Sequence, residues 1–159
     1  MDEIANHPNV RAVEAALRMA GIEPRVRVLP ETAPTAVAAA EQIGCPVAAI
    51  ANSLIFDAAG TPLLVLTSGA HRVDTGKLAA HVGVSKLSRA SAEFVRQHTG
   101  QVIGGVAPVG HPARIRTLID ETLAGYDEIW AAAGHPHTVF PTTYDQLLAA
   151  TGAEPVAVN

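Results

Sequence analysis

Aromatic residues are what this sequence has least of: three Phe, two Tyr and one Trp, 4% of 159 residues. Its interior must therefore be assembled from Ala, Val, Leu and Ile, within a hydrophobic share of 48%. Charge is scarce too, at 16% of residues, against roughly one quarter in ordinary soluble domains. The formal net charge is −4, and no run of lysine or arginine stands out. This excludes the basic stripe with which proteins grip long stretches of nucleic acid, DNA included, but leaves open the capture of a short terminus. The single cysteine, Cys45, cannot form an internal disulfide, so a reducing compartment is expected. No apolar run reaches the ~18–20 residues that span a bilayer. The opening MDEIANHPNV is acidic and lacks the basic-then-apolar order of a secretory leader. A cytoplasmic protein with no membrane partner is the expectation.

What the chain has in quantity is punctuation, 13 Gly and 11 Pro. In NHPNVRAVEAALRMAG, Val10, Val13, Leu17 and Ala20 recur at helical spacing, and Gly21 is a natural stop. EPRVRVLP alternates charged and apolar residues as a half-buried strand does. Thr35 and Gly44 bracket a helix over AVAAAEQI; Asp74 and Gly83, then Ser91 and Gly100, bracket two more. Two apolar runs around DAAGT predict a β-hairpin over VAAIANSLIFDAAGTPLLVLTSG. QVIGGVAPV, RIRTLID, EIWAAAG and HTVFPTT read as further strands, ETLAGY as a helical turn, and YDQLLAATG as a last helix capped by Thr143. No repeat or linker divides the chain, so one domain over residues 1–159 is expected. Hairpins mixed with crossovers predict the α+β class, a mixed sheet surrounded by helices, not a doubly wound parallel sheet.

The stretch IGGVAPVGHP, residues 103–112, lacks the Gly-Lys-Ser/Thr ending of a phosphate loop and the G-x-G-x-x-G of a dinucleotide fingerprint. Two readings stay open. The N–H groups of Gly104, Gly105 or Gly110 form a cradle for a carbonyl or phosphate oxygen, or the segment is a bulged strand ending in a turn. His135 and His137 share a face if GHPHTVF is extended, and His111 or His71 could complete a zinc site with them. With no thiolate to help and no His-Glu-x-x-His helix, no metal is expected, and a pocket-lining role for one histidine is preferred. Ser53 and Ser68 make a Ser-His-Asp triad arithmetically available, but no G-x-S-x-G elbow supports one. Ser68 contacts a ligand or caps its turn; Cys45 reads as a small buried side chain and Lys77 as solvated. Asn52 and Ser53 interrupt an apolar strand. Burying that polar pair is costly unless neighbouring backbone or a pocket bonds it.

In order, NSLIFD, LLVLTSGAHRVDTGKLAAHVG, GQVIGGVAPVGHP and LIDETLAGYDEIWAAAGHPHTVFPTTYDQLLAATGA resemble the YbaK/EbsC family, relatives of the editing domain inserted in bacterial prolyl-tRNA synthetase. The similarity runs over about residues 20 to 158. It implies a single α+β domain with a barrel-like mixed sheet, holding the aminoacylated end of a tRNA. The implied activity is hydrolysis of the ester that joins a wrong amino acid to tRNA, tRNA(Pro) above all, by a free-standing protein. No cofactor is implied. Main-chain amides at Gly104 and Gly105 would stabilise the oxyanion, and a ribose hydroxyl would assist the water, which accounts for the missing triad. Asn52 falls where many members carry a lysine, so a neutral amide replaces a point charge at the proposed catalytic position. The implied substrate-binding set is Ser53, Ser68, His71, Pro108, Gly110, His111, Gly134, His135 and His137. Arg72 is a further group that could offset the missing lysine. Ala107 and Ala133 near the proposed site favour a small amino acid: Ala, Ser, Thr or Cys. The alternative is a module on the same fold that holds a tRNA end or nucleotide without cleaving it. Prolyl-tRNA synthetase or an elongation factor is the candidate partner holding the rest of the tRNA.

An acidic protein that touches only the acceptor end releases few counterions on binding. Its affinity for tRNA is expected to fall only modestly between roughly 50 and 200 mM salt. A slope as steep as that of roughly six to ten phosphate contacts, measured by filter binding, would overturn the end-capture reading.

Overall fold

The computed structural model describes residues 2–159. Helices α1 (Asp2–Ala5) and α2 (Pro8–Met19) precede the short strand β1 (Arg27–Val28) and α3 (Ala36–Ile43). The hairpin β2 (Ala51–Ala58) and β3 (Thr61–Ser68) follows, then α4 (Thr75–Val82), β4 (Leu87–Arg89) and α5 (Ala92–Thr99). The chain ends with β5 (Arg116–Asp120), β6 (Ile129–Ala132), β7 (Thr138–Thr142), α6 (Tyr144–Thr151) and β8 (Glu154–Val156). Short 3-10 turns occupy Val47–Ala49 and Glu121–Gly125.

Local chemistry sets these limits. Thr35, Asp74, Ser91 and Thr143 each accept a hydrogen bond from the backbone N–H three residues on, the donor a helix start leaves unpaired. Gly44, Gly83, Gly100 and Gly152 close the same four helices in the left-handed conformation. The β2–β3 turn is reduced to Ala59 and Gly60, with φ of 53° and 92°. Positive φ at both positions matches the twist of the flanking strands, and Asp57 Oδ1 accepts the Gly60 N–H at 2.6 Å.

The strands form two sheets, β4-β2-β3-β5-β8 and β1-β7-β6. In the larger sheet β2 pairs antiparallel with β3 and β4, while β3–β5 and β5–β8 are parallel. The smaller sheet is antiparallel throughout. A parallel bridge between Ile50 and Trp130 joins them, giving the expected mixed, barrel-like α+β architecture as two linked sheets. Strand β3 is buried on both faces, so its residues alternate between two cores. Leu64 and Leu66 pack with Val13 and Leu17 of α2, Ile119, Ala131 and Phe140. Leu63 and Val65 pack with Phe56, Leu118 and with Leu78 and Ala79 of α4.

Three expectations need correction. QVIGGVAPV is a loop, not a strand. Gly104 and Gly110 take φ of 93° and 86°, and the buried Gln101 side chain organises the main chain in place of a neighbouring strand. Its Oε1 accepts the Ala107 N–H at 2.7 Å and its Nε2 donates to the Val109 carbonyl at 3.5 Å. EPRVRVLP pairs only over Arg27–Val28. The edge strands β4 and β8 were not anticipated, because three-residue strands carry too little alternation to read.

One buried carboxylate ties the end of β3 to the end of β5. Asp120, 0% exposed at the end of β5, accepts from the Ser68 N–H, His71 Nδ1 and both the N–H and hydroxyl of Thr122. Burial pushes its pKa up, but the bonds from Thr122, Ser68 and His71 more than offset this and hold it below the ordinary carboxylate value. A depressed folded pKa stabilises the native state above the unfolded value of about 3.9, and the gain is lost as pH falls through the folded value. Urea unfolding should therefore show native stability dropping below about pH 4. Asp120→Ala should cost about 3 kcal/mol at neutral pH and show a flatter acid limb. Parallel acid limbs for the two proteins would remove Asp120 from this role.

Candidate active site

A cavity of about 400 Å³ lies along one edge of β2. On that edge Ile50 is bridged to Trp130 of β6, and from Phe56 onward the strand pairs with β4. Residues 51–55 between these contacts have no strand partner on that side, and the cavity fills the gap. In an extended segment alternate residues turn N–H and C=O away from the paired neighbour, so this stretch presents main-chain donors and acceptors to the opening. Asn52, Ser53 and Leu54 line it from β2, Ile103, Gly104 and Val106 from the loop, and Pro136, Thr138 and Val139 from the far wall. Gly69 lets α3 close the remaining side: a Cβ there would lie 2.5 Å from the Val47 carbonyl oxygen and 2.7 Å from Ala36 Cβ.

The lining holds no Asp, Glu, His, Cys or Lys; Arg89 is its one titratable side chain. What the cavity offers is therefore hydrogen bonding by main chain and neutral side chains, aliphatic walls, and one cation. Among the described residues, Ser53 Oγ is the buried side-chain polar atom without a hydrogen-bond partner. Asn52 stands on the face of β2 that also carries Leu54 and Phe56.

The residues singled out in the sequence separate into three places. Asn52, Ser53 and Gly104 line the large cavity. Gly105 stands behind its wall: its N–H donates to the Val102 carbonyl at 2.9 Å. A Cβ there would lie 2.7 Å from the His135 carbonyl carbon and from the Pro136 nitrogen. Pro108, Gly110 and His111 border a second, smaller cavity of about 210 Å³. His111 is held there by Nε2 donating to the Ala107 carbonyl at 2.8 Å; burial pulls its pKa down against that bond. Gly110 and Gly134 are seats for α2, since a Cβ on them would come within 3.1 Å of Val13 and 2.9 Å of the Asn9 carbonyl oxygen.

His135 and His137 flank Pro136 outside the cavity lining. His135 Nδ1 accepts the His137 N–H at 3.0 Å, and His137 Nδ1 donates to the Leu29 carbonyl at 3.2 Å. Burial, then the nearby rings of His7 and His137, lower the pKa of His135. Ser68 and His71 belong to the Asp120 network, with Ser68 Oγ donating to the Ala48 carbonyl. Ala107 and Ala133 are fully buried in the core and do not touch the cavity; Ala33, Ala36, Ala39, Ala51, Ala131 and Ala132 are the alanines that do. Sequence reasoning missed Gly69, Gln101, Trp130 and Arg89. The glycine directly after a predicted strand was the available signal for Gly69; Arg89 gave none, because β4 was not recognised.

Fold and cavity define a class: α+β domains with a pocket beside an open strand edge whose lining is nearly free of titratable groups. Residues 30–150 match the family profile of the aminoacyl-tRNA editing domain, and the chain belongs to that family. It is 31% identical over 123 residues to the proline–tRNA ligase of Xanthomonas campestris pv. campestris strain 8004, covering 77% of this chain and 22% of the ligase. The chain thus spans under a quarter of the ligase's length. It is 30% identical over 110 residues to the uncharacterised protein YwhH of Bacillus subtilis strain 168, covering 69% of each. A crystal structure described as that of a proposed trans-editing enzyme for prolyl-tRNA synthetase superposes with a TM-score of 0.89 at 41% identity, over 96% of this chain and 97% of that one.

The glycine geometry separates packing from chemistry in the loop. Gly105→Ala should destabilise by about 1–3 kcal/mol in chemical denaturation, because backbone at His135 and Pro136 must move. Gly104→Ala meets open space and bears only the strain of its positive φ. Unchanged stability in Gly105→Ala would show that the 134–137 loop yields freely.

Proposed function

We propose that this protein is a trans-acting aminoacyl-tRNA deacylase that removes a small wrong amino acid from tRNA(Pro). The observation that carries the reading is the cavity itself. It joins the NSL, IGGV and AAAGHPHTV segments around a space lined by no Asp, Glu, His, Cys or Lys, and its hydroxyls have no such group in the lining to activate them. Hydrolysis there relies on groups the substrate brings. Water adds to the ester carbonyl carbon, and the carbonyl oxygen becomes an oxyanion facing main-chain N–H groups of Gly104 and the open edge of β2. The bond from carbon to the ribose oxygen then breaks, that oxygen takes the proton from the attacking water, and a neighbouring ribose hydroxyl orients the water. One oxyanion donor is worth roughly 2.7–4 kcal/mol of barrier in enzymes where it has been removed.

The alanines lining the cavity support a small acyl group, since a pocket rejects a larger residue by volume far more readily than a smaller one. The likeness to prolyl-tRNA ligases supports tRNA(Pro), with the synthetase or an elongation factor holding the body of the tRNA. Near full-length correspondence with the trans-editing structure supports action as a separate protein. One observation favours a second reading, a module that binds the tRNA end without cleaving it. Asn52 puts a neutral amide where, by the resemblance, many members of the family carry a lysine.

The deciding experiment follows amino-acid release from tRNA(Pro) charged with Ala, Ser, Thr, Cys or Pro, beside Ala-tRNA(Ala) and Ser-tRNA(Ser). Release from a mischarged tRNA(Pro) well above the spontaneous rate, with Pro-tRNA(Pro) spared, is expected. No release across the panel while tRNA still binds would give the binding module, and activity gained by Asn52→Lys would then identify the missing group.

A further inference from the structure

We propose that Arg89 holds the phosphate of the nucleotide that carries the ester, an assignment that rests on the deacylase reading. Arg89 is the cavity's one charged side chain and is solvent-exposed at its opening. The ion pairs among the described residues join Arg25 to Glu128, His71 to Asp120, and His81 and Arg116 to Glu154, so no carboxylate neutralises Arg89. In a chain of net charge −4, an unpaired guanidinium facing a ligand cavity selects an anion. An aminoacyl ester offers one kind. Its carboxyl is esterified and neutral and its amino group is cationic, so the available anion is phosphate, which the planar guanidinium fork binds through two parallel hydrogen bonds.

The strand register gives the spacing. Arg89 lies directly opposite Phe56 in the β2–β4 ladder, and opposed residues share a sheet face. Asn52 is on that same face, four residues further along β2, which is about 13 Å of extended chain. Arg89 therefore does not stand in for a lysine at position 52. It lies toward the other end of the same opening, where the nucleotide enters once the ester has reached Asn52 and Gly104. Val37 and Ile103, 54% and 59% exposed, form aliphatic lips on this opening, surface that an incoming nucleotide would cover.

The test is equilibrium binding of a non-hydrolysable analogue, 3′-alanylamido-3′-deoxyadenosine, with and without a 5′-phosphate. In the native protein the phosphate should tighten binding roughly ten- to a hundredfold. Arg89→Ala should abolish that increment while leaving the phosphate-free analogue and the unfolding midpoint unchanged, and Arg89→Lys should keep part of it. An increment undiminished in Arg89→Ala overturns the assignment and leaves the deacylase reading intact. Failure of the native protein to bind either analogue overturns the reading, and the assignment with it.

Discussion

The structure depends on an interruption in one strand. β2 is the centre of the domain's hydrogen bonding, paired along its whole length with β3, yet on its other edge it is served by β6 at Ile50 and by β4 only from Phe56. A closed barrel would fill residues 51–55 with a further strand and leave no room for a ligand. Here the gap remains, and buried main-chain groups facing it need partners. A ligand with carbonyl, hydroxyl and amino groups is the kind of molecule that can supply them. The polar pair Asn52-Ser53, at odds with its apolar strand, belongs to this gap.

Holding the gap open requires close backbone approaches around it, and glycine makes them possible. Gly69 lets α3 and the Val47–Ala49 turn come down on the end of β3, and Gly105 lets the loop lie against the 135–136 backbone. Gly110 and Gly134 admit α2. Gln101 then fixes the loop by bonding main chain at both Ala107 and Val109. The wall is thus set by packing and main-chain bonds. A neutral wall of this kind can hold an ester without putting a competing charge beside it.

Helix limits were legible because their chemistry is local: Thr35, Asp74, Ser91 and Thr143 cap where their positions in the sequence say they must. The hairpin was equally plain. The loop at 101–110 was not, because apolar residues between glycines read as a strand while the Gln101 side chain that replaces a neighbouring strand gives no periodic signal. Of the site, Asn52, Ser53 and Gly104 were found at the cavity through their misfit with their surroundings. Gly110, Gly134 and His111 show the same misfit for another reason, the close seating of α2 and a bond to Ala107, and sequence alone cannot tell the two causes apart. Arg89 was invisible because its importance comes from pairing opposite Phe56, a contact made only in three dimensions.

The asparagine at position 52, where the YbaK/EbsC resemblance leads one to expect a lysine, has a physical meaning under the proposed function. A lysine at position 52 would place a mobile positive charge beside the ester, stabilising an oxyanion but also attracting any anion that entered. Asn52 leaves its end of the cavity neutral, so in the proposed reaction charge stabilisation there would fall to main-chain dipoles, whose strength depends on exclusion of water. The cavity's one cation, Arg89, lies about 13 Å away along the strand, which under the proposed assignment places it at the nucleotide and away from the ester. Recognition and chemistry are thereby separated along one strand edge. In the proposed deacylase, a substrate positioned by its phosphate would place its ester against fixed dipoles, and discrimination among amino acids would be left to the volume of the alanine-lined end.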